Sequence, residues 1–147
     1  MSTQGPDKYT LLIQKDMEIQ APLAATFAAL LEQLGPGNAS PHGPMPMKLE
    51  AWPGGRWFRD LGNNTGHLWA YVQVIKPPTL LELHGPLFMS YAAISHVQYR
   101  LSETAGRTRL SLTHRAFGDI APEHREGAPK GWEYMLSVVK TIAQSKI

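Results

Sequence analysis

Apolar positions recur along this chain with two periods, and the change of period marks its elements. Near the end, Trp132, Met135, Leu136, Val139 and Ala143 fall at i, i+3, i+4, i+7 and i+11, one stripe of an α-helix. The stretch Pro129 to Lys146 therefore reads as a helix, with Pro129 in its first turn and Glu133 near the positive end of its dipole. At ~1.5 Å per residue this is a rod of roughly 27 Å. A second helical stripe, Phe27, Leu30, Leu31 and Leu34, begins after Pro22 and ends at Gly35.

Between and before these helices the pattern is that of strands. Tyr9 to Ile19 is β-prone, with Met17 and Ile19 on one face. Met47 to Trp52, Arg56 to Leu61, His67 to Ile75, Leu80 to His84, Ser95 to Leu101 and Thr108 to Ala116 come next, each cut by glycine, proline or asparagine turns. Short connections such as Gly62 to Gly66 and Glu103 to Arg107 imply hairpins and a meandering antiparallel sheet. Ile120 to Glu126 reads as one helical turn closed by Gly127. Gly35 to Pro46 holds three glycines and four prolines, so it is neither regular helix nor central strand. It is either an ordinary surface connection or a semi-rigid lip over a cavity mouth.

Composition narrows the function classes. A chain of 147 residues with 43% hydrophobic and 18% charged positions suits one globular domain, residues 1–147. With no cysteine there are neither disulfides nor thiolate metal sites, which fits a cytoplasmic address. The net charge of +2 is spread without a basic run, which argues against nucleic-acid binding. The longest apolar-rich stretch, Ala21 to Leu31, is too short to span a bilayer, and the first ten residues lack a signal-peptide pattern.

Four landmarks appear in order: Ile19-Gln20-Ala21-Pro22, Pro53-Gly54-Gly55-Arg56, Val74-Ile75-Lys76-Pro77-Pro78, and Thr108-Arg109-Leu110 through His114 to Phe117 with Gly131-Trp132 beyond. As a set they resemble the START-like SRPBCC superfamily, in its branch of activator of heat-shock-protein-90 ATPase homologues. The resemblance implies an α+β helix-grip fold, a curved antiparallel sheet of about six to seven strands wrapped around the C-terminal helix. It also implies a cavity between them, used elsewhere in the superfamily for lipids, hormones, polyketides and other apolar ligands. Two features depart from the branch: proline-rich loop replaces a second short helix, and Phe27 stands where tryptophan is commoner.

Alternation assigns faces to that cavity. Val97, Tyr99 and Leu101 share one face, as do Leu110, Leu112 and His114, and both sets should look toward the helix. On the long strand, Leu68, Ala70, Val72 and Val74 are assigned inward. Trp69 and Tyr71 then lie outside, either packed across strands or marking a homodimer or protein-partner contact. Trp57 and Arg59 share a face, so an inward Trp57 would bring Arg59 inward, toward Glu82 or an acidic ligand. His114 is either a hydrogen-bonded core histidine or a ligand-orienting group or general base. Phe88 and Met89 belong to an apolar connection suited to a rim, and Met135 to an adaptable lining. The expected cavity wall is thus Trp57, Arg59, Val72, Phe88, Met89, Val97, Tyr99, Leu112, His114, Trp132, Met135, Leu136 and Val139.

No zinc-protease helix, nucleophile elbow or phosphate loop is present in the sequence, so no catalytic residue, metal ligand or cofactor is assigned. The expected function is non-enzymatic binding of a small apolar or amphipathic molecule. The alternatives are an interaction module of the chaperone-ATPase-activator kind, and a cyclase- or hydrolase-type enzyme using His114, Arg59 or Tyr99.

Overall fold

A computed structural model describes residues 8–146. Among the described residues nine strands and two helices follow one another as β1 (Thr10–Ile19), α1 (Leu23–Leu34), β2 (Ala39–Ser40), β3 (Gly43–Pro44), β4 (Lys48–Leu49), β5 (Arg56–Gly62), β6 (Thr65–Lys76), β7 (Leu80–Gly85), β8 (Ala93–Thr104), β9 (Arg107–Gly118) and α2 (Pro122–Ser145). Seven strands form one sheet in the order β1-β9-β8-β7-β6-β5-β4, every neighbouring pair antiparallel. The fold is α+β, a helix-grip in which α2 packs across the sheet with α1 beside it.

The turns form where the residues permit. Asn63 and Asn64 join β5 to β6 with φ of 53° and 59°, and Ala105 and Gly106 join β8 to β9 with 54° and 78°. Positive φ at both central residues suits the right-handed twist of the flanking strands. The edge strand β1 is tied to α2 at both ends: Arg125 donates to the carbonyls of Lys8 and Thr10, and the Gln144 side chain accepts from the Gln20 N–H.

Helix α1 is tied at both ends. The Leu23 N–H donates to the Glu103 carboxylate of the β8–β9 hairpin, and the Trp57 indole N–H donates to the Leu34 carbonyl at 2.6 Å. Helix ends carry unpaired amides and carbonyls, so both contacts lock the helix onto the sheet. Between them, Phe27, Leu30 and Leu34 bury against the core.

Two expectations need correction. First, the closing helix starts at Pro122, not Pro129, and runs unbroken through Gly127, Pro129 and Gly131. Local propensity there argues for a break, since Pro129 removes the amide that would bond the Arg125 carbonyl. Tertiary contacts override it: Arg125 is anchored on β1, and Ala128 and Trp132 are buried. Second, alternation fails twice on β6. Trp57 pairs with Ala70 and Phe58 with Leu68, leaving Trp69 as an extra residue; Gln73 is skipped in the same way opposite β7. These bulges turn Trp69 and Ile75 onto the core, while Leu68 and Val74 leave it.

Candidate functional site

The bulge at Trp69 builds one wall of a hollow. Its indole meets Trp57 edge-on at 5.1 Å between ring centroids and Phe88 at 6.0 Å. Phe88, on the connection after β7, also meets His124 at 5.0 Å. Facing them, the first turns of α2 present His124, Gly127, Ala128, Gly131, Trp132 and Met135. The β2–β3 ribbon closes the third side with Ala39, Ser40 and Met45. Together they enclose a largely apolar groove of about 810 Å³.

The Gly35 to Pro46 segment is this groove's lip, and it is pinned. Buried Asn38 accepts from Gln33 of α1 at 2.9 Å and donates to the Met45 carbonyl at 2.8 Å. The Met47 N–H returns to the Gly35 carbonyl, and the Tyr134 hydroxyl of α2 reaches the Ser40 carbonyl at 3.3 Å. The loop is thus held across its base and against the helix.

The residues expected to line a cavity divide into three groups. Phe88, Trp132 and Met135 lie on the groove. Trp57, Val72, Met89, Val97, Tyr99, Leu112, His114, Leu136 and Val139 are at most 2% exposed and belong to the packed core behind it. Arg59 pairs with His67 near the β5–β6 turn, half-buried, in a separate polar hollow of about 740 Å³ with Lys48, Asp60 and Tyr71. Glu82 does not serve Arg59, because it accepts from Gln98 and meets His96. Of Trp69 and Tyr71 only Tyr71 lies outside as expected, 40% exposed beside His84, while Trp69 looks into the groove.

His114 is saturated. The Trp132 indole N–H donates to its Nδ1 at 2.9 Å, so the ring's proton sits on Nε2, which donates to the Ser95 hydroxyl at 2.9 Å. Burial lowers its pKa to about 4, so the ring is neutral at pH 7. Its partner is thus an indole, not the backbone carbonyl of a common core histidine. The Tyr99 hydroxyl is fully buried with no hydrogen-bond partner, and burial raises its pKa well above the ordinary range. Arg59 lies in the separate polar hollow, and Tyr99 and His114, both packed against Trp132, share no hydrogen bond. Among the described residues no group of three His, Asp or Glu side chains is placed to hold a metal ion, and no helix is long and apolar enough to cross a membrane.

Sequence reasoning put Trp69 on the outer face and passed over Met45, Tyr91, His124, Gly127 and Gly131 as site residues. The signal for the last three was present: His124, Gly127, Gly131 and Met135 stand at i, i+3, i+7 and i+11, extending the α2 stripe backwards. Reading the glycines and proline as breaks hid it.

Solved structures share the architecture. An uncharacterised protein from Rhizobium leguminosarum matches at TM-score 0.70 with 18% identity, covering 92% of this chain and 95% of that one. CalU16 from Micromonospora echinospora matches at TM-score 0.60 with 19% identity (92% and 91% covered), and Ara h 8.0201 at 0.70 with 10% identity (92% and 99% covered). These likenesses concern the fold. No curated protein matches the chain. The model of the family described as Activator of Hsp90 ATPase homolog 1-like protein matches residues 22–144. Fold and sequence agree: the chain belongs to that family, with the START-like SRPBCC helix-grip fold.

Proposed function

We propose that this protein is a non-catalytic binder of a small apolar or amphipathic molecule, held at the groove between the first turns of α2, the β2–β3 ribbon and the Trp69–Phe88 wall. The supporting observation is the groove itself, about 810 Å³ and mostly apolar. Pockets for small organic ligands measure roughly 300–1,000 Å³ and are mainly hydrophobic with a few polar groups. Gly127 and Gly131 bear on the same reading. A Cβ at either would meet nothing within 4 Å, so no internal packing requires glycine there. Each costs a helix about 1 kcal/mol relative to alanine. A ligand lying against the helix backbone would account for both.

The test is a fluorescence titration with prodan, a naphthalene carrying a propionyl and a dimethylamino group, on the wild type and on Gly131→Leu. Leucine should raise helix stability while filling the groove, so the thermal midpoint rises as prodan affinity drops about tenfold or more. Equal affinity in both proteins, or no binding to the wild type, overturns the reading.

A further inference from the structure

The polar groups on the groove lining are almost all committed within the protein. Asn38 is held by Gln33 and Met45, Tyr134 by Ser40, Trp132 by His114, and Trp69 donates to His67. The Ser40 hydroxyl accepts from the His42 N–H and donates to the Gly43 carbonyl. His42, Glu123 and Lys130 are exposed at the rim. His124 differs from all of these. It is half-buried, and only one of its ring nitrogens has a partner among the described residues.

That partner positions the ring. The Tyr91 hydroxyl lies 2.7 Å from His124 Nδ1 and accepts from the Ala121 N–H at 3.1 Å. With the phenolic hydrogen on Nδ1, for it has no other acceptor among the described residues, the ring proton falls on Nε2. Tyr91 also stacks on the imidazole at 5.6 Å with 22° between planes, and Phe88 closes its edge. The ring is held in position before anything binds.

We infer that His124 is the polar anchor of the groove, offering its Nε2–H to an acceptor oxygen on a flat apolar ligand, with Tyr91 as its positioning residue. The ligand class is an aromatic or polyene molecule bearing a carbonyl or ether-type oxygen, its flat body resting among Trp69, Phe88 and Trp132. A ligand whose polar end is only a donor is disfavoured, because it would face the N–H of a ring that has no acceptor to give. This rests on the groove being the binding site.

Two probes separate the two ideas: prodan, which has a carbonyl, and 2-(dimethylamino)naphthalene, which lacks it. In His124→Phe the ring stack is kept and the donor is lost. Prodan affinity should fall about tenfold, while the carbonyl-free probe should change less than about twofold. Tyr91→Phe should weaken prodan less, and the ¹⁵N shifts of the His124 ring should move from a single Nε2–H tautomer toward a mixture. A merely structural tyrosine would leave that signature in place. If both probes bind the wild type and His124→Phe equally well, the anchor is refuted while the groove reading stands. Failure of both probes to bind, or binding that Gly131→Leu leaves intact, removes the groove reading and the anchor with it.

Discussion

His114 and His124 sit on either side of Phe88, at 6.4 and 5.0 Å between ring centroids, and are held in the same manner. Each bonds an aromatic side chain at Nδ1, Trp132 for one and Tyr91 for the other; the indole donor puts the His114 proton on Nε2, and the proposed anchor has the His124 proton there too. The difference is at that second nitrogen. In His114 it is bound by Ser95 in the closed core, whereas in His124 it has no partner among the described residues and the ring lies on the groove. The same residue is thus a structural tie in one place and, as proposed, an available donor in the other. What separates them is burial, complete for His114 and partial for His124.

Substitution should expose that contrast. His114→Ala leaves a cavity and strips both the Trp132 indole and the Ser95 hydroxyl of a partner, which should cost about 2–4 kcal/mol in urea unfolding. His124→Ala, losing one hydrogen bond at a half-buried site, should cost about 1 kcal/mol or less. Comparable losses at the two positions would break the distinction.

The pH dependence of folding should carry the mark of His114 as well. The folded ring resists protonation until about pH 4, against an ordinary value of 6.5. Below 6.5 the unfolded chain takes up a proton that the folded ring refuses. Stability from this group is therefore whole above pH 6.5 and falls as pH drops toward 4, by about 3 kcal/mol. In His114→Leu the unfolding free energy should lose most of its slope over that window. An unchanged slope would assign it to other groups.

The smallest expected effect is at Tyr99, which lies against Trp132 at 6.5 Å. Its hydroxyl is buried and unpaired, so Tyr99→Phe should leave stability unchanged or raise it by about 1 kcal/mol. A clear loss of stability or of prodan binding would mean that the hydroxyl has a partner, and that binding reaches deeper than the groove.

Much of the fold is legible from period and turn chemistry, because both act locally. Val97, Tyr99, Leu110, Leu112 and His114 are inward as alternation requires, and β4 to β9 lie in chain order as successive antiparallel neighbours, whereas β1 joins β9 across almost the whole chain. Trp69 was not legible, since a one-residue bulge shows only in the pairing between strands and inverts the face of the residues beyond it. The start of α2 was hidden for a related reason: Gly127, Pro129 and Gly131 are locally poor in a helix, and only contacts far away in sequence hold them there. The candidate site lies where those two failures meet. A cavity spread along the middle of α2 was the natural expectation, but Tyr99, Leu136 and Val139 are core there, and the groove opens one to two turns earlier.

The most direct test is where a ligand lands. A ¹H–¹⁵N NMR titration with prodan should shift the amides of Gly127 and Gly131, the indole N–H of Trp69 and the ring of His124, leaving the strand amides around Leu112 and the Asn63–Asn64 turn unmoved. Shifts centred on the core strands, or on the polar hollow beside Arg59, would place binding elsewhere and contradict it.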